Sequence, residues 1–171
     1  DGTAKITDYT GTDTELITPR KLDGYIVTRI GIEAFESCTN LTSIVISEGV
    51  TYIAMYSFVY CRNLTNITIP ESVTSISSSA FKDCSSLTSI VIPEGVTYIG
   101  GGPFWGCSSL TSITIPEGVT SIGSSAFWGC SSLTSIAIPE GVTSIGSSAF
   151  YRCSNINIIC RKGSVAEQYA I

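Results

Sequence analysis

The sequence predicts a mostly β solenoid of α/β class, right-handed, with coils of 23 residues that each place one strand in a parallel sheet. Three observations predict it. Leu41, Leu64, Leu87, Leu110 and Leu133 recur every 23 residues. Phe35, Phe58, Phe81, Phe104, Phe127 and Phe150 keep that interval, as do Cys38, Cys61, Cys84, Cys107, Cys130 and Cys153. The unit between them reads Leu-x-x-Ile-x-Ile-Pro-Glu-Gly-Val-Thr-x-Ile-Gly-x-x-Ala-Phe-x-x-Cys-x-x, with the Leu and Ile placed as in leucine-rich solenoids.

Each segment has a physical reason. Residues 1–31 form an N-terminal cap and an irregular first coil. Two alternating stretches flank Thr10-Gly11-Thr12-Asp13, which predicts a hairpin. Lys21-Leu22-Asp23-Gly24-Tyr25 reads as a loop inserted before Val27-Thr28-Arg29-Ile30-Gly31. Residues 32–155 hold the regular coils. Leu110 to Ile115 is rich in β-branched residues and predicts a strand, which Pro116 ends because it has no N–H for the ladder. Pro116-Glu117-Gly118 supplies a turn with a residue free to take positive φ. Val119 to Gly123 turns Val and Ile inward in a second, short extended segment. Ser124 to Phe127 is too short for a regular helix and predicts a 3₁₀ turn. Residues 156–171 form the C-terminal cap, where Ser164 is positioned to N-cap a short closing helix over Ser164–Ala170. A lone coil buries too little apolar surface to fold, so stacking supplies the stability.

Composition excludes several function classes. The chain has 171 residues and a net charge of −5, and no Lys or Arg lies between Lys82 and Arg152. Nucleic-acid binding needs clustered cations and is not expected. No apolar run approaches a membrane span, and no signal peptide is visible, so the chain reads as a mature or trimmed fragment. The absence of His removes Ser-His-Asp and Cys-His nucleophile activation and the usual zinc sites. No phosphate-binding glycine pattern occurs. No enzymatic activity, catalytic residue, cofactor or metal is expected.

Three columns read as structural. Six cysteines at one interval predict a buried, reduced thiol ladder, with Cys160 outside it. Glu48, Glu71, Glu94, Glu117 and Glu140 form an acidic column with no second set of oxygen ligands beside it, which reads as a solvated turn rather than a cation site. The outward strand positions, such as Ser112 and Thr114, are small and nearly neutral, and offer no anchor for a partner.

The unit "CSSLTSITIPEGVTSIGSSAF" resembles the treponemal-type, or BspA-like, leucine-rich repeat of bacterial surface proteins, across essentially the whole chain. The resemblance implies a secreted or surface-anchored location and a part in adhesion to host proteins or other cells. It implies no enzymatic activity and transfers no functional residue, because the shared positions are structural.

One position varies. The residue after each Phe is Glu36, Val59, Lys82, Trp105, Trp128 and Tyr151 in turn. The Phe side chains point inward, so the residues after them should point outward. The first three follow no pattern, as at a solvated position. Trp105, Trp128 and Tyr151 are aromatic on consecutive coils. They form either an exposed binding stripe or a set of rings lying flat over neighbouring coils. The sequence therefore predicts a monomeric surface or secreted recognition module that binds a protein partner, with Trp105, Trp128 and Tyr151 as ligand-binding residues. Its alternatives are a glycan-binding module and a passive spacer in a larger surface protein.

Overall fold

The computed structural model describes residues 2–154 and 156–170. Asp1, Asn155 and Ile171, which bound the segments expected from the sequence, lie outside the described residues. The N-terminal region holds strands β1 (Thr3–Ile6), β2 (Glu15–Ile17), β3 (Lys21–Leu22) and β4 (Tyr25–Ile30). The coils then contribute pairs: β5 (Ser43–Val45) with β6 (Tyr52–Ile53), β7 (Asn66–Thr68) with β8 (Ser75–Ile76), and β9 (Ser89–Val91) with β10 (Tyr98–Ile99). Next come β11 (Ser112–Thr114) with β12 (Ser121–Ile122), and β13 (Ser135–Ala137) with β14 (Ser144–Ile145). Strand β15 (Asn157–Ile159) and helix α1 (Val165–Ala170) close the chain.

The parallel solenoid stands, with two strands per coil instead of one. The Val-Thr-x-Ile segments form the longer ladder, in the order β1-β4-β6-β8-β10-β12-β14. The Leu-x-x-Ile-x-Ile segments pair in shorter runs, β2-β5-β7, β9-β11 and β13-β15. Both sides of the coil carry extended, β-branched sequence, and stacking pairs each with its equivalent one coil away. Ser89, Ile90 and Val91 face Ser112, Ile113 and Thr114 in register.

The N-terminal cap differs from the expected hairpin. Strand β1 pairs parallel with β4 and β2 pairs parallel with β5, so the stretches flanking Thr10–Asp13 serve as the two sides of a coil and do not pair with each other. The antiparallel hairpin lies further on, where β3 meets β4. Its turn is Asp23-Gly24 with φ of 51° and 85°, a pairing of positive φ that Asp-Gly favours in two-residue hairpin turns. The segment read as an inserted loop is this hairpin.

The turn around each Phe also differs from a 3₁₀ helix. Left-handed residues recur at Ser79 and Asp83 (φ 57° and 59°), Gly102 and Gly106 (59° and 74°), and Ser125 and Gly129 (57° and 73°). They break the segment into separate i→i+3 turns, such as Cys84 N–H to Phe81 C=O at 3.2 Å. Positive φ sits here and not at Gly95, Gly118 or Gly141 of the Pro-Glu-Gly turns. In the coil where Ser72 replaces that glycine, its hydroxyl donates to Val50 C=O at 2.8 Å.

The core is a set of columns. Leu41, Leu64, Leu87, Leu110 and Leu133 are fully buried, as are Val27, Val50, Val73 and Val119. The Phe rings stack at 4.9 to 5.8 Å between centroids, within 12° of parallel, from Phe35 to Phe150. Tyr9 covers the N-terminal end of this stack at 5.4 Å, and Tyr169 of α1 meets Phe150 edge-on at 5.8 Å. Helix α1 starts as expected, with the Ser164 hydroxyl accepting from Glu167 N–H at 3.3 Å. Ala166 of this helix is buried against the core.

The cysteine ladder is free of disulfides, and the structure gives it a task. Each of the five buried thiols donates to the carbonyl of the Phe in the preceding coil, as Cys61 does to Phe35 at 3.0 Å, Cys84 to Phe58 at 3.1 Å and Cys107 to Phe81 at 3.2 Å, whereas Cys38 reaches the carbonyls of Tyr9 and Glu36. Burial pushes the Cys153 thiol up to about 11 and raises Cys84, Cys107 and Cys130 as well. Cys38 and Cys160, at the two ends, are half-buried.

Candidate functional site

The residues after each Phe lie on a ridge formed by the left-handed turns. The backbone sets their register. Asp83 N–H donates to Trp105 C=O at 2.6 Å, Gly106 N–H to Trp128 C=O at 2.8 Å, and Gly129 N–H to Tyr151 C=O at 2.8 Å. One bond per coil thus fixes successive side chains above one another. Gly102 serves this turn through its positive φ, since a Cβ there would make only ordinary contact, 3.5 Å from the indole Cε3 of Trp105.

The three candidate rings form one stack on one side of the solenoid. Trp105 and Trp128 are 4.9 Å apart between centroids, inclined by 19°. Trp128 and Tyr151 are 4.3 Å apart, inclined by 40°. Both Trp side chains are half-buried and Tyr151 is 51% exposed. The rings therefore neither stand free with open faces nor lie flat on the turn. They stack along the solenoid axis, cover one another and present their edges to solvent.

The stack is longer at both ends than the aromatic residues alone. Lys82 Nζ lies 4.9 Å from the Trp105 ring centroid, and the Arg152 guanidinium lies 5.8 Å from that of Tyr151. Sequence reading missed Lys82 as a member, although it sits one repeat before Trp105. Val59 corrects the reading in the other direction: it is 4% exposed, because a short apolar side chain does not reach past the turn backbone. Glu36, in the first coil, is exposed.

Charge separates the two turns of each coil. The strands lie between these turns, so they occupy opposite ridges. Glu48, Glu71, Glu94, Glu117 and Glu140 are all exposed on the Pro-Glu-Gly ridge, and Glu140 pairs with Arg161. The aromatic ridge carries Lys82, Arg152 and Arg62, whose guanidinium lies 5.6 Å from the Tyr60 ring. Its acids are the exposed Glu33 and Glu36 of the first coil and the half-buried Asp83, which lies over Gly106. Among the described residues no group of three or more His, Cys, Asp or Glu is placed to hold a metal ion. No helix there is long and apolar enough to cross a membrane.

A stack of near-identical β coils bearing a lateral ridge of variable residues defines a leucine-rich solenoid. The chain matches the BspA type Leucine rich repeat region in six copies over residues 26–165, and it belongs to that family. Among solved structures, a leucine-rich repeat protein of T. pallidum is similar at 32% identity with a TM-score of 0.88, over 91% of this chain and 73% of that one. A leucine rich cell surface protein of Faecalibacterium prausnitzii A2-165 is 35% identical with a TM-score of 0.77, over 93% of this chain and 50% of its own. A leucine-rich repeat protein of Bacteroides ovatus is 27% identical with a TM-score of 0.66, over 92% and 49%. This chain thus spans about half the length of the last two. No curated protein matches the sequence. Leucine-rich repeats generally serve as protein-interaction modules and are generally non-enzymatic.

Proposed function

We propose that residues 1–171 form one repeat domain that acts as a protein-recognition module on a bacterial surface, with no catalytic role, and that Trp105, Trp128 and Tyr151 are its contact residues. The observation that carries this reading is the outward-facing aromatic stack itself. The coil closes without it: Glu36 and Lys82 occupy the same position on other coils. Aromatic side chains held rigid by neighbours contribute contact area at little entropic cost, the usual character of interface anchors. The surface location rests on likeness to the F. prausnitzii cell surface protein. Sugar recognition by stacking asks for free ring faces, and here each ring spends its faces on its neighbours, so protein is favoured over glycan.

The test is binding of the purified domain to immobilised host-matrix proteins and to a glycan array, in wild type and in Trp105→Ala/Trp128→Ala. Capture of a matrix protein that weakens about tenfold in the double variant, with the fold retained by circular dichroism, supports the assignment. Equal capture by both proteins moves the contact elsewhere on the solenoid. Binding confined to glycans replaces the protein reading.

A further inference from the structure

Resting on the reading just given, we infer that the aromatic ridge is selective for an extended, acidic segment of its protein partner, whose carboxylates run along the ring edges between Lys82 and Arg152.

The exposed part of the stack is chemically different from an aromatic face. A ring face is the negative part of its quadrupole and the edge is the positive part. Trp105 and Trp128 cover each other's faces, Trp128 and Tyr151 do the same, and Lys82 occupies the far face of Trp105. Solvent therefore meets a line of edges, which attracts negative rather than positive groups. Neither indole N–H donates a hydrogen bond among the described residues, so both remain available to an acceptor on a partner.

The flanking charges agree. Lys82 and Arg152 stand at the two ends of the stack, and their attraction to an anion adds to that of the edges. Between them in sequence the acids are Asp83, Glu94, Glu117 and Glu140, and the three glutamates lie on the opposite ridge. Asp83 alone opposes an incoming carboxylate, and it is half-buried over Gly106. On the opposite ridge Glu71, Glu94 and Glu117 face solvent and repel the same partner, while Glu48 shares a hollow with Arg20 and Lys21 and Glu140 pairs with Arg161, so an acidic segment has one favourable side on which to lie. Three coil steps of about 5 Å separate Lys82 from Arg152, a span matched by roughly four or five residues of extended peptide. An anionic polysaccharide shares the charge, but its sugar rings find no open aromatic face here.

The protein supplies its own reporter, because Trp105 and Trp128 are its two tryptophans. Intrinsic fluorescence is titrated with oligoglutamate, oligolysine and a Gly-Ser oligopeptide of equal length, and with heparin. Oligoglutamate is expected to change the emission saturably, with affinity falling as salt rises. Lys82→Ala/Arg152→Ala is expected to weaken it about tenfold, and Asp83→Asn to strengthen it about two- to threefold, which a purely structural role for Asp83 does not predict. Oligoglutamate no better than the Gly-Ser peptide, or heparin binding more tightly than oligoglutamate, overturns the inference. If capture of a matrix protein still depends on the Trp pair in that case, the recognition reading stands and only the acidic selectivity fails. If capture is indifferent to the Trp pair, the reading itself falls.

Discussion

Two columns run the length of the coils, an inner one that is aromatic throughout and an outer one that is aromatic over three coils. The inner column is Phe at every coil, with adjacent rings within 12° of parallel. The outer one is aromatic only at Trp105, Trp128 and Tyr151, and its tilt grows from 19° to 40° toward the C-terminal end. The same repeat spacing stacks both. The inner rings are confined by coil neighbours above and below and by the Leu, Val and Cys columns at the sides, so only one ring shape fits. The outer rings are confined only above and below, which permits glutamate, lysine or a larger ring at the same place. Stacking therefore follows from the repeat, whereas residue identity follows from what closes the sides.

The largest test of this contrast is Phe104→Ala. It is expected to destabilise the protein by about 3–5 kcal/mol in urea titration, because it opens a cavity between two stacked rings. A loss below about 1 kcal/mol would erase the distinction between the columns.

A second large effect belongs to the interior alone. The buried Cys153 thiol is held protonated, at about 11 against an ordinary 9.0. Folding thus favours the neutral thiol, and stability is full below the unfolded value. It declines as pH rises from about 9, where the unfolded chain begins to release protons that the folded chain keeps. Urea midpoints measured from neutral to strongly alkaline pH should fall in that window. Constant midpoints would mean that the thiols are accessible.

Trp128→Ala sits lower on the scale, at about 1 kcal/mol, since it removes ring stacking without opening the core. A cost equal to that of Phe104→Ala would make the outer column part of the framework.

The smallest effect has the opposite sign. Ser57 takes the place of the alanine before Phe58, and its hydroxyl is buried with no hydrogen-bond partner. Ser57→Ala should raise stability by about 1 kcal/mol, read as a shift in the urea midpoint. A loss instead would show that the hydroxyl is satisfied in solution.

Much of this architecture was legible in the sequence. The Leu, Phe and Cys intervals specify columns, and the columns specify a solenoid. Ser164 marked the closing helix because a serine hydroxyl just before Val165-Ala166-Glu167 can accept from an unpaired N–H of the first turn. What escaped notice was local backbone conformation. Alternation around Thr10–Asp13 signals strands but not their partners, and β4 and β5 of the coil that follows pair with β1 and β2 in place of a hairpin between them. Asp23-Gly24 carried a hairpin signal that the repeat pattern obscured. Left-handed φ at Ser79, Asp83 and Ser125 was hidden because serine and aspartate tolerate that region without advertising it as glycine does. At the site, the 23-residue spacing placed Trp105, Trp128 and Tyr151 together, but ring orientation depends on neighbours in space, and so did the membership of Lys82.

The hydroxyl and thiol ladders have a direction. Thr65 donates to Thr42 C=O, Thr88 to Thr65, and Thr111 to Thr88, at 2.9, 3.3 and 3.1 Å. Ser108 and Ser131 repeat the pattern three residues earlier in the same stretch of the coil, and each buried cysteine reaches back in the same sense. Every such donor finds its acceptor earlier in the chain. A polypeptide leaving a ribosome or a secretion channel N-terminus first would thus offer each newly emerged hydroxyl or thiol of these ladders an acceptor already delivered, whereas the backbone donors of the Phe turns, such as Asp83 N–H to Trp105 C=O, are satisfied only by the coil that follows. The side-chain ladders thus tie each coil to the one before it and the turn backbone ties it to the one after, so every inner coil is completed from both sides.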